Sequence, residues 1–166
     1  MTRLLQGLPP VIAEQTRLLV LGSFPGVASL RAQQYYAHPQ NQFWKILSAL
    51  WATDLTGMPY DRRIEAVRSL GLGIWDVYAA CEREGSLDAD IRAGKLNDFD
   101  RLRSQCPRLQ AIAHNGGESF RHARHTRALG LPVYRLPSTS PANASWSFER
   151  KLAAWREVLG RHGLLR

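Results

Sequence analysis

LLVLGSFPGVASLRAQQYYAHPQNQFWKILSAL, residues 18–50, passes from an apolar run through a Gly/Pro turn and a polar stretch into an amphipathic segment. Leu18 to Leu21 carry the continuous apolar pattern of a strand buried on both faces of a parallel sheet. Gly22 and Gly26 permit backbone geometry closed to other residues, and Pro25 sets the turn between them. An irregular polar loop then carries Tyr35, Tyr36, His38, Asn41 and Phe43, ring faces and hydrogen-bonding edges suited to a planar heterocycle. A helix follows from Asn41, because Phe43, Ile46, Leu47, Leu50 and Trp51 recur at i, i+3, i+4, i+7 and i+8. Strand, turn and helix in this order build a pocket at the strand's carboxyl end.

The rest of the chain repeats the alternation. Candidate strands at Gly73–Tyr78, Leu109–His114 and Pro132–Leu136 join Arg17–Gly22, each short, apolar and bounded by Gly or Pro. Helices are expected over Pro59–Leu70, over Gly117–Leu129 with Gly130 as a stop signal, and over a last segment patterned by Phe148, Leu152, Trp155 and Leu159. This implies an α/β fold of three layers, α/β/α, around a central four-stranded parallel sheet covered on both faces. No repeat, low-complexity tract or long linker divides the chain, so residues 1–166 are expected to form one domain.

Composition narrows the function classes. The chain is 45% hydrophobic, enough for a core, yet no apolar run approaches a membrane span. No export or organelle signal is visible at the N-terminus, which makes the cytoplasm the expected location. Cys81 and Cys106 cannot form a disulfide framework and read as reduced core thiols. His114, His122 and His125 have no carboxylate or thiolate partners at ligand spacing, so no metal centre is expected. With 22 Lys+Arg against 14 Asp+Glu, the net charge of +8 favours a polyanionic partner. Lys45, Arg135 and Arg150 lie near the motifs. Arg121, His122, Arg124, His125 and Arg127 crowd one expected helix, where a solvated basic face weighs slightly more than a DNA footprint.

GSFPG at 22–26 is neither a dinucleotide fingerprint nor a Walker A loop. Followed by HPQNQFWKIL at 38–47, it resembles the first motif and following helix of the uracil-DNA glycosylase superfamily. LPSTSPANA at 136–144 resembles the second motif of that superfamily, and AIAHNGGESF at 111–120 stands where relatives have a strand ending in an Asn-Gly turn. The similarity spans nearly the whole chain and is greatest to the hypoxanthine-DNA glycosylase branch, with the thymine/uracil mismatch glycosylases next. Two cysteines exclude the four-cysteine iron-sulfur branch.

The resemblance implies a monomeric, monofunctional enzyme that flips a deaminated base out of DNA and hydrolyses its glycosidic bond without a cofactor, leaving an abasic site. It places Phe24, Phe43, Asp76 and Asn115 around the flipped base, with Phe43 as its stacking partner and Asp76 reading a polar edge such as the N1–H of hypoxanthine. It assigns Gly22, Ser23, Pro25, Gly26, His38, Pro137, Ser138, Thr139, Ser140, Pro141, Ala142 and Asn143 to DNA contacts, with Pro141, Ala142 or Asn143 entering the vacated stack. Two positions depart from the pattern. Phe24 stands where many relatives have a polar residue that orients water, and Leu136 where some branches have His. The catalytic role then passes to Asn41, whose amide would align water or hydrogen-bond the base.

Blander readings stand beside these. Asn41 would also serve as a helix N-cap, Phe43 and Trp44 as core residues, and the 136–144 segment as an ordinary loop. A uracil/thymine mismatch glycosylase and a non-catalytic nucleic-acid-binding relative are the alternative functions.

Overall fold

Alternation along one strand sorts the core into two layers. In the computed structural model, which describes residues 3–165, β2 (Leu18–Gly22) is buried at all five positions. Its Leu18 and Val20 belong to one apolar cluster, and its Leu19 and Leu21 to another on the opposite face. β2 pairs in parallel with β3 (Leu72–Asp76) on one side and with β6 (Ala111–Asn115) on the other, and β6 pairs with β7 (Val133–Leu136). The order is β3-β2-β6-β7. The expected four-stranded parallel sheet is therefore present, with each strand within two residues of its expected bounds.

On one face lie α2 (Phe43–Trp51), α3 (Tyr60–Ser69) and α7 (Phe148–Arg161), whose Trp51, Ile64 and Trp155 share a cluster with Leu18 and Val20. The opposite cluster takes Leu102 of the short α4 (Leu102–Gln105) and Cys106. Both cysteines are buried and unpaired, as expected of core thiols.

Three elements depart from expectation. The loop after the first turn contains a short helix, α1 (Val27–Ala32). The expected helix over 117–129 is broken into α5 (Gly117–Phe120) and α6 (Ala123–Arg127), where His122 leaves helical geometry at φ −102° and meets the Tyr78 hydroxyl at 2.8 Å. A second, antiparallel sheet of order β1-β4-β5 is formed by β1 (Leu4–Gln6), β4 (Tyr78–Glu82) and β5 (Arg92–Leu96). The expected strand Gly73–Tyr78 is divided, because the chain changes sheets at Val77, whose N–H donates to Gly22 O (2.8 Å). β5, RAGKL, is mostly exposed and lacks the alternation that marks a strand.

Candidate active site

Register assembles the site. Gly22 stands opposite Asp76, and Asn115 opposite Leu136, so all four parallel strands end along one edge. The chain leaves β2 toward β3 on one side while β6 and β7 lie on the other, which opens a crevice at the carboxyl ends. A cleft of about 1150 Å³ occupies it, floored by Gly22, Asp76 and Asn115 and rimmed by the 22–29, 86–89 and 137–143 segments. Gly22 is obligatory: a Cβ there would lie 2.5 Å from Asp76 Oδ1 and 3.0 Å from Tyr36 Oη.

Asp76 is the buried carboxyl of the cleft floor. Its side chain is buried, and Oδ2 has no hydrogen-bond partner among the described residues. Burial, and then repulsion from Asp88, push its carboxyl up to about 7, against a smaller opposing pull from Arg83. An unsatisfied carboxyl on a cleft floor, able to hold its proton near neutral pH, can both donate and accept a hydrogen bond.

One expected base contact is corrected. Phe43 is fully buried and does not line the cleft. As part of the amphipathic face of α2 it packs edge-on to Trp155 (5.8 Å), and it stacks beneath Tyr36 with centroids 4.1 Å apart. Tyr36 is the aromatic ring that reaches the cleft from this stack. It holds a left-handed backbone (φ 56°), strained for a bulky residue, so its placement is enforced by its surroundings. Phe43→Ala should consequently lower stability by about 3–5 kcal/mol, read from denaturant midpoints, as core aromatic truncations do. Tyr36→Ala should instead weaken lesion binding by about 1–3 kcal/mol, the scale of base–aromatic stacking. The opposite pattern would restore Phe43 as the stacking ring.

Asn115 lines the floor as expected, with its amide donors committed. Nδ2 donates to Tyr36 Oη (3.1 Å) and Thr139 Oγ1 (3.0 Å), while Oδ1 accepts from Thr139 N (3.1 Å). It clamps Tyr36 to the second motif and keeps one acceptor site on Oδ1.

Asn41 sits both at the start of α2 and in the cleft lining. Oδ1 accepts from Phe43 N (2.9 Å), an Asx-type bond at the start of α2, whose N-cap is Gln42. The residue also lines the cleft, and its Nδ2 group has no hydrogen-bond partner among the described residues. The neighbouring turn is tied in by Gln42, whose N–H donates to Thr139 O (2.9 Å) and whose Oε1 accepts from buried Lys151 Nζ (2.9 Å). Ser138 Oγ accepts from Ser140 N (3.1 Å), Ser140 Oγ from Ala142 N (3.2 Å), and Asn143 Nδ2 donates to Ser138 O (3.1 Å). Nested turns hold 138–143 as a rigid rim along with Pro137 and Pro141. Gly116, at φ 97°, passes so close to Ser138 that a Cβ would lie 3.0 Å away.

The facing rim comes from the β4–β5 connection, which the sequence left unassigned. Buried Arg83 donates to Pro25 O (2.6 Å) and Gly85 O (2.9 Å), with its guanidinium 5.3 Å from the centre of the Phe24 ring. Ser23 donates to Asp88 (2.6 Å), and Val27 N donates to Ser86 Oγ (2.9 Å). Phe24 is thus a largely buried cleft residue packed under the cation, and Asp88 is a carboxylate that only the fold brings to the site. Spacing carried no signal for it, since Asp88 lies 65 residues from its partner Ser23.

The basic residues divide. Arg135 and His38 line the cleft, and Arg150 lies 4.3 Å over the ring of Trp146, another lining residue. Arg121 instead pairs with Glu118 (2.9 Å), which also accepts from Tyr78 Oη (2.6 Å). The 121–127 segment does not line the cleft. His114 is a satisfied core histidine: its ring nitrogens meet Ser119 Oγ and Thr126 Oγ1 at 2.8 Å, and burial depresses it to about 4.

Known proteins share this arrangement. The model of the uracil DNA glycosylase superfamily matches residues 9–159. A hypoxanthine DNA glycosylase of Methanosarcina barkeri is 39% identical over 156 residues, covering 94% of this chain and 98% of the relative. One of Methanosarcina acetivorans is 36% identical over 157 residues, covering 95% and 98%. The solution NMR structure of a Methanosarcina acetivorans protein assigned to the uracil DNA glycosylases superposes with a TM-score of 0.84 at 34% identity, covering 94% and 99%. From the match of fold, motif order and nearly full length, this chain belongs to the uracil DNA glycosylase superfamily.

Proposed function

We propose that the protein is a monofunctional DNA glycosylase that excises a deaminated base, hypoxanthine by preference, by hydrolysing its N-glycosidic bond. The observation that carries this reading is the unsatisfied Asp76 carboxyl on the floor of a cleft built by the superfamily's motifs. In its protonated form Asp76 presents one donor and one acceptor, the complement of the O6 and N1–H edge of hypoxanthine. Tyr36 supplies the stacking face.

Departure of the base leaves positive charge on the sugar and negative charge on the base. Asn41 meets this with a fixed amide. Its oxygen is engaged by the α2 backbone, so its Nδ2–H groups act toward the leaving base or an attacking water. Phe24 cannot perform that task. Asp88, bonded to Ser23 of the motif turn, adds negative potential that favours an oxocarbenium-like sugar. Ser138, Ser140 and the motif backbones form the rim along which the flanking phosphates would run, with Arg135 beside them.

A panel of duplexes containing single hypoxanthine, uracil or xanthine lesions, with alkali cleavage at abasic sites, tests the assignment. Release of hypoxanthine in the presence of chelator, faster than of uracil opposite guanine, is the expected result. Faster uracil release would assign the mismatch-specific activity, and lesion binding without any release would make the chain a non-catalytic relative.

A further inference from the structure

We infer that Leu87, on the β4–β5 connection, is the side chain that enters the duplex where the flipped nucleotide leaves. The inference rests on the glycosylase reading and extends it to the opposite rim from the second motif. Among the described residues four large hydrophobics are exposed: Leu4, Val27, Leu87 and Leu165. Two of them, Val27 at 39% and Leu87 at 55%, border the cleft. Apolar side chains standing out at the rim of the crevice need a partner with an apolar interior, and the stacked bases of DNA are one.

The local geometry is that of a held wedge. Both neighbours of Leu87 are fastened to the first motif: Ser86 Oγ accepts from Val27 N (2.9 Å), and Asp88 accepts from Ser23 Oγ (2.6 Å). Arg83 adds bonds to Pro25 O and Gly85 O at the base of the same segment. Leu87 itself is extended, at φ −82° and ψ 135°, and more than half of it stays in solvent between two anchored residues. An inserting side chain must be held by its neighbours, because a mobile one would lose its ordering entropy on entering the stack. The second-motif rim is less suited to the role: Pro141 lies inside the turn closed by Asn143 N to Ser140 O (3.0 Å), Ala142 offers only a methyl, and the Asn143 amide is already bonded to Ser138 O.

Filling a vacated stack matters only where there is a stack. Leu87→Ala is therefore compared with the unsubstituted chain on deoxyinosine in a duplex and in the same oligonucleotide single-stranded. Single-turnover base release and the fluorescence of 2-aminopurine beside the lesion are the readouts. Excision from the duplex should slow by about tenfold or more, with a matching loss of the unstacking signal, while single-strand excision changes less than about twofold. Leu87→Met should restore the duplex rate, and Leu4→Ala, an exposed apolar residue outside the cleft lining, should change neither substrate. Equal losses on both substrates, or no loss on either, would overturn the wedge assignment while leaving the glycosylase reading intact. Failure of the unsubstituted chain to release base from either substrate would overturn both.

Discussion

Asn41→Ala should lower the single-turnover rate of base release by about a hundredfold or more while leaving lesion binding within about an order of magnitude. The structure adds a complication that the experiment must separate, since the same side chain caps the start of α2 through Phe43 N. Loss of that bond is worth about 1 kcal/mol of stability, enough to shift melting but far too little to unfold the domain at assay temperature. Asn41→Asp isolates the chemistry. It keeps an oxygen for Phe43 N–H and removes the two amide protons, so it should melt like the unsubstituted chain and still lose most of the rate. An active Asp variant would mean that the amide oxygen, facing water, is the working atom. An active Ala variant would reduce Asn41 to its cap.

Asp76 yields the second large effect, and it runs in an unusual direction for a carboxylate. Its folded value of about 7 lies above the unfolded value of 3.8. The native state therefore holds a proton that the unfolded chain has released, and stability is lost as pH rises from about 4 to about 7. At pH 8 the buried charge costs on the order of 4 kcal/mol. Asp76→Asn should accordingly raise the melting temperature at pH 8, with the gain shrinking to nothing near pH 4. A gain that is flat across that range would mean that Asp76 is ionised throughout. Activity should follow the same proton: base release should decline above pH 7 as the donor to O6 is lost, and the Asn variant should lack that limb. Asp76→Ala, which leaves the edge of the base unread, should slow release by about ten- to a hundredfold at pH 6.

The parallel sheet was legible because the signals that specify it are local. LLVLG admits no face for water, and the recurrences in 43–51 and 148–159 match one side of a helix, so position and partner layer follow from pattern alone. The same locality made the motif turns, the Asp76 strand end and the Asn41 segment readable, and the strand register then brought them to one edge. What escaped was whatever depended on distant partners. β5 is polar and exposed, a strand only because β4 offers its edge. Phe43 fits both the apolar face of α2 and the polar loop before it, and only the packed stack shows that Tyr36 faces the cleft while Phe43 lies behind it. Asn115 reads as a free amide until Thr139 and Tyr36 close around it. Asp88 and Leu87 belong to a connection without motif or periodicity, placed at the site by bonds to Ser23 and Val27 more than fifty residues away in the chain. Sequence by itself determined the layers, the strand ends and the chemistry carried on them, because burial patterns and turn residues act over a few positions. Only the tertiary structure decided which side chains remain unsatisfied in the cleft, because a hydrogen-bond partner is settled by distance in space.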